Sequence, residues 1–174
     1  MSDIAHATVR QKSDALQRRV MMLSFVVAAG DPASGAARAL LNELDEYLRA
    51  LYPTGIKHGL DVESLQDRSV TFLMASLEGQ PVGCSAYKLL QPGTAEVQLM
   101  YLRPSLRGRG YGKIILSAIE QSARHAGVHR LLLETGKYQH EALALYERFG
   151  FRNGPPFADY RPDPLIVFFE KTIA

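Results

Sequence analysis

Apolar and polar positions fall into blocks along the chain, and the period changes from block to block. Residues 1–17 are polar, lack a clear period and read as a flexible arm ahead of a single domain spanning 18–174. Val20–Ala28 is apolar and rich in β-branched residues, which predicts a strand. Asp31 and Pro32 have the chemistry of a helix start, and Leu40, Leu41, Leu44, Leu48 and Leu51 then recur at helical spacing. Tyr52-Pro53-Thr54-Gly55 closes that helix, and a short helix is expected at Val62–Gln66. Val70–Leu77 and Val82–Leu89 predict two strands joined by a hairpin at Glu78-Gly79-Gln80-Pro81. After the turn Gln91-Pro92-Gly93, Ala95–Leu102 predicts a third. A helix follows through Ile114, Ile115, Ala118, Ile119 and Ala123, with Gly127 where a left-handed C-cap belongs. Arg130–Glu134 reads as a short buried strand, and His140–Phe149 as a helix with the face Ala142, Leu145, Tyr146, Phe149. Strands flank the proline-containing segment Gly154–Pro164, the last at Ile166–Lys171. A strand meander followed by strand–helix–strand–helix implies an α/β (α+β) domain, a mixed sheet with helices on both faces.

Composition narrows the function. The chain has 174 residues, 47% of them hydrophobic and 22% charged, with a net charge of +2. That charge is too mild for a nucleic-acid partner. Cys84 is the only cysteine and lies in an apolar run, so no intrachain disulfide forms and an inert buried thiol is expected. The longest apolar stretch, Val20–Ala29, is about half of a membrane span. With no apolar signal region, the expectation is a soluble cytoplasmic protein that engages no membrane. No Cys/His spacing suggests a metal.

Residues 107–112 read Arg-Gly-Arg-Gly-Tyr-Gly, between a strand-like and a helix-like run. Glycines here let backbone N–H groups converge on a ligand, and the helix start adds unpaired N–H groups and a positive dipole end. This is how a chain builds a diphosphate seat. It is not a Walker A loop, because Gly112-Lys113 is followed by Ile114 rather than Ser or Thr. It is not a dinucleotide fingerprint either, because Lys113 stands where the third glycine belongs. On the letters alone, a hexamer of this kind also fits a plain surface turn.

Two further features accompany it. Gln139, Ala142, Leu145, Tyr146, Gly150 and Phe151 form a second block, and Glu96 lies on the strand entering the loop. Arg107, Gly110 and Gly112 match Q/R-x-x-G-x-G. The second block resembles Asn-x-x-Ala-x-x-Leu-Tyr-x-x-x-Gly-Phe, with Gln139 replacing Asn. Together they resemble the GCN5-related N-acetyltransferases (GNAT), over roughly Val20 to Lys171.

The resemblance implies a mixed, mostly antiparallel sheet of about six to seven strands, whose fourth and fifth strands splay around the acyl-pantetheine arm of acetyl-coenzyme A. It implies backbone N–H groups of Gly108, Arg109, Gly110, Tyr111 and Gly112 on the pyrophosphate, with charge from Arg107, Arg109 and Lys113. Gln139 would bond the pantetheine arm, and a backbone N–H at Tyr101 or Leu102 would meet the thioester oxygen. Glu96 is the candidate base, directly or through water; its other reading is a surface glutamate at a strand edge. In a regular strand Glu96, Gln98 and Met100 share one face, but the family's usual bulge here changes that parity. Tyr146 is the candidate acid toward the departing sulfur; on periodicity alone it is equally a core aromatic. Acceptor pockets would come from Tyr52–Gln66, with His58, Asp61 and Glu63, and from Gly154–Pro164, with Asp159, Tyr160, Arg161 and Asp163. Their mixed charge suggests a small polar amine or amino acid. The activity implied is N-acetyl transfer by direct attack in a ternary complex, with no metal. A non-catalytic acyl-coenzyme A sensor or partner module, another acyl donor and a protein acceptor stay open. Homodimers are common in the family.

Overall fold

The computed structural model describes residues 24–52 and 62–173. The expected arm, the first residues of the expected first strand, and residues 53–61 with His58 and Asp61 lie outside them. The elements run β1 (Phe25–Ala29), α1 (Gly35–Leu51), α2 (Val62–Leu65), β2 (Val70–Leu77), β3 (Gln80–Gln91), β4 (Thr94–Leu102), α3 (Tyr111–His125), β5 (Arg130–Gly136), α4 (His140–Arg148), β6 (Arg152–Asn153) and β7 (Ile166–Thr172). The strands form one seven-stranded sheet in the order β1-β2-β3-β4-β5-β7-β6. β4 and β5 are parallel, and every other neighbouring pair is antiparallel.

Helices cover both faces. On one, Ile115, Leu116, Ile119 and Ala123 of α3 and Tyr146 of α4 pack with Ala95, Val97, Leu131 and Leu133 of the sheet. On the other, Ala37 and Leu40 of α1 and Leu65 of α2 pack with Phe72, Cys84, Leu99 and Tyr101. Cys84 is fully enclosed, and burial pushes its thiol up to about 12, so it is inert at neutral pH.

Local chemistry moves several element ends. The N-cap of α1 is Ser34, not Asp31: Ser34 Oγ accepts from Ala37 N at 3.2 Å, while Asp31 Oδ1 accepts from Ala33 N at 2.8 Å in a turn ahead of the helix. The β2–β3 hairpin is tighter than expected, a two-residue turn in which Glu78 (φ 52°) and Gly79 (φ 78°) are both left-handed. α3 begins at Tyr111 because that ring is buried and stacks on Phe25 at 4.4 Å.

Two irregularities in β4 shape the site. Ala86 pairs with Leu99 and Tyr87 with Val97, which leaves Gln98 as a bulge. Parity therefore changes along the strand: Ala95, Val97 and Met100 pack against the α3 face, Leu99 and Tyr101 against the α1 face. Glu96 and Met100 thus fall on opposite faces, contrary to the regular-strand expectation. The β4–β5 ladder runs only from Thr94↔Arg130 to Val97↔Leu133, although both strands continue. The strands part at the bulged residue, because a bulge bends its strand and raises its twist.

Candidate active site

The β4–β5 gap opens into a groove of about 670 Å³. One wall is Met100, Tyr101 and Leu102; the other is Gln139, Glu141, Ala142, Leu145 and Tyr146 from the start and inner face of α4. Gly108, Gly110, Gly112 and Lys113 close one end. Gly108 (φ 71°) and Gly110 (φ 90°) are left-handed, a conformation that disfavours any side chain. Gly110 is the N-cap of α3, no side chain caps this end, and no acidic residue sits in the first turn. The first N–H groups of a 15-residue helix thus face the groove with the positive end of its dipole. Gly112 has a packing role as well: a Cβ there would meet Leu145 Cδ2 at 2.8 Å, so a side chain would make the end of Leu145 shift. Uncapped N–H groups beside cations and a mostly apolar channel fit a diphosphate carrying a long, weakly polar arm.

Not every loop side chain faces the groove. Tyr111 turns its ring into the core, leaving its backbone N–H as the group near the seat. Arg109 is exposed and does not line the groove. Arg107 lines it but is fastened: Nε donates to Leu102 O at 3.0 Å, a terminal nitrogen donates to Glu141 at 3.0 Å, and the guanidinium lies 4.6 Å over the Tyr47 ring. Arg148 lines the groove too, a cation that the loop motif could not signal from its place at the end of α4.

Backbone alternation in β4 separates Tyr101 from Leu102. Arg103 N–H donates to Val82 O, and the Tyr101 carbonyl lies where a Gly83 Cβ would meet it at 2.5 Å, so residues 101 and 103 face β3. Leu102 therefore turns its N–H and C=O toward the gap, where its carbonyl accepts Arg107. Tyr101 serves the outer frame instead. Its hydroxyl donates to Glu43 of α1 at 3.1 Å, and Arg103 donates to the same carboxylate at 2.8 Å. The Arg103 hydrogen bond holds the Glu43 carboxyl below its ordinary value, and this clamp fixes α1 to the end of β4.

Tyr146 is 7% exposed, packs edge-on against Phe151 and lines the groove. Burial pushes its phenol up, so it stays protonated at neutral pH and can donate but not lose a proton freely. The ring belongs to the core and also lines the groove. Gln139 is the N-cap of α4, with its side chain free of any cap bond.

Glu96 sits where the strands begin to part. It is 4% exposed and accepts a hydrogen bond from the Tyr160 hydroxyl at 2.6 Å. Burial raises its carboxyl above its ordinary value, against Tyr160, Gln98 and Lys88, which favour the anion. Glu134 of β5 is raised as well, by burial and then by the charges of Glu96 and Asp163. Glu96 is therefore no strand-edge surface residue. Its partner comes from the segment Gly154–Pro164, 64 positions later. The residue types near Tyr160 mark that segment, but the contact itself has no local signal. The stack of Tyr52 at the end of α1 on Tyr138, 5.5 Å between centroids, has none either.

The chain belongs to the GNAT acetyltransferase family, whose pattern matches residues 39–151, and is thus an acyltransferase. A protein of Azospirillum brasilense named IAA acetyltransferase is 41% identical over 153 residues, spanning 87% of this chain and 100% of that one. A Klebsiella pneumoniae structure described as an acyl-CoA N-acyltransferase is 36% identical, with TM-score 0.77, over 86% of this chain and 98% of that one. A GNAT acetyltransferase from Elizabethkingia anophelis with acetyl-CoA bound shares the fold at 17% identity, with TM-score 0.61, over 86% of this chain and 98% of that one. Among the described residues no helix is long and apolar enough to cross a membrane, and no group of three or more His, Cys, Asp or Glu could hold a metal.

Proposed function

We propose that this chain transfers the acetyl group of acetyl-coenzyme A to a primary amine of a small polar acceptor, by direct attack in a ternary complex. The observation that carries this reading is the geometry of one gap. A glycine-built anion seat closes one end, and a buried carboxylate stands where the strands begin to part. Backbone N–H groups of residues 108–112 and Lys113 hold the diphosphate, and Gln139 bonds the arm. When bound, acetyl-coenzyme A supplies the thioester carbonyl. Leu102 N–H faces the gap and stabilises the oxygen that gains charge.

An alkyl ammonium with a pKa of about 10.4 is free base at pH 7.4 only to roughly one part in a thousand. Glu96 removes that proton, and burial that raises its pKa makes it a stronger base than an exposed carboxylate. Tyr146 donates to the departing sulfur. Glu96, Glu134 and Asp163 together favour a cationic acceptor, and the Tyr52–Tyr138 pair gives an alkyl or aryl body an apolar surface.

Isothermal titration with acetyl-coenzyme A, followed by thiol release against ethanolamine, putrescine, tyramine, amino acids and IAA, tests this reading. Binding with acceptor-dependent release is expected. Binding without release from any acceptor favours a sensor module or a protein acceptor. Absence of binding overturns the assignment of the groove.

A further inference from the structure

Glu96 has almost no contact with solvent, yet its proposed task is to take a proton from a molecule that arrives from solvent. The group that bonds its carboxylate from the more exposed side of the chain is the Tyr160 hydroxyl. Tyr160 is 39% exposed, and its hydroxyl donates to Glu96 Oε1 at 2.6 Å. The ring is held in place: it lies 5.1 Å from Phe157 and 5.9 Å from Phe168, centroid to centroid. Its segment is tied to the sheet by Gly154 N to Phe168 O at 3.0 Å and Lys137 N to Leu165 O at 2.8 Å. A hydroxyl that donates inward keeps lone pairs to accept from outside.

Resting on the reading of Glu96 as the base, we propose that Tyr160 carries the proton between acceptor and carboxylate. An ammonium N–H bond breaks and its proton passes to the Tyr160 oxygen, while the Tyr160 O–H proton passes to Glu96 Oε1. Tyrosine is regenerated, Glu96 becomes neutral and the amine becomes free base. The amine nitrogen then bonds the thioester carbon, the C–S bond breaks with its electron pair on sulfur, Tyr146 gives its O–H proton to that sulfur, and the second N–H proton restores Tyr146. Glu96 returns its proton to solvent by the same route. Concerted exchange suits this pair, because burial and the Glu96 bond push the Tyr160 phenol up and a free tyrosinate is not formed. The charged groups that act on the pair are Lys88 on β3, which favours ionised Glu96, and Glu134 on β5, which raises the Tyr160 phenol. Asp163 of the same segment acts on Glu134.

The test compares Tyr160→Phe, Glu96→Gln and the double variant, using the fastest acceptor among ethanolamine, putrescine and tyramine. Tyr160→Phe keeps the ring packing. It should slow thiol release on the order of a hundredfold at unchanged acetyl-coenzyme A affinity. It should also move the acid limb of the pH–rate profile to higher pH, because a bond favouring the carboxylate is gone. The double variant should be no slower than the slower single one. Wild-type turnover and an unshifted limb in Tyr160→Phe, with Glu96→Gln slow, overturn the relay alone. Wild-type turnover in Glu96→Gln overturns the base assignment instead. A readout that needs no acceptor is the carboxyl ¹³C titration of Glu96 in glutamate-labelled protein, its signal identified by loss in Glu96→Gln. Tyr160→Phe should titrate at higher pH, and coincident curves overturn the positioning contact.

Discussion

The two ends of the β4–β5 gap are built by different means. The seat at the glycine end consists of backbone: left-handed glycines and the uncapped start of α3, all within residues 108–113. Near the point where the strands part, side chains from distant elements meet instead: Glu96 from β4, Glu134 from β5 and Tyr160 from the segment before β7, none of which lines the groove. A diphosphate presents the same charge and spacing whatever accepts the acetyl group, so converging N–H groups recognise it and side chains need little identity. An acceptor is told apart by shape, charge and proton affinity, which only side chains supply.

The largest effect should come at the backbone end. Gly110→Glu puts a side chain on a left-handed residue and a negative charge on an anion seat, so acetyl-coenzyme A affinity should fall more than about a hundredfold by titration calorimetry. Unchanged affinity would remove the seat from this loop. Next, Glu96→Gln should lower turnover on the order of a hundredfold with cofactor affinity intact. A loss of both together would mean that the two ends are not independent. Tyr146→Phe should slow turnover about tenfold while the melting temperature holds. Wild-type turnover would leave Tyr146 as a packing residue and take the acid out of the groove.

Smaller effects concern stability against pH. The Glu96 carboxyl is raised in the folded state, so its ionisation opposes folding, and that cost appears as pH climbs above the unfolded carboxylate value. Glu96→Gln should therefore gain stability over wild type in urea melts at pH 8, and the gap should close at pH 4. Glu43 is the opposite case. Arg103 lowers its carboxyl, so its contribution is present above the unfolded carboxylate value and is lost as pH falls through the folded one. Because the pair is partly solvated, Glu43→Gln should cost only about 1 kcal/mol at pH 7, and less at pH 3. Equal costs at the two pH values would show that the clamp acts by packing rather than charge.

What was legible in the chain follows the same division. The meander, the strand–helix repeats and the glycine seat were visible because period and turn chemistry act between near neighbours. The helix start at Ser34 is not legible because Asp31 and Ser34 are both good caps, and only the surrounding backbone chooses between them. Tyr111 stands in the glycine motif, yet its ring belongs to the core, because α3 turns that position onto Phe25.

The sequence by itself determined the order of elements, the family and the glycine turn that opens α3, since each is specified by residues within a turn or two of one another. Tertiary structure decided where β4 and β5 part, which of Tyr101 and Leu102 offers its N–H to the gap, and that Glu96 lies buried beneath Tyr160. The physical reason is that bulge position, strand parity and a 64-residue contact arise only when the sheet closes, and no local pattern records them.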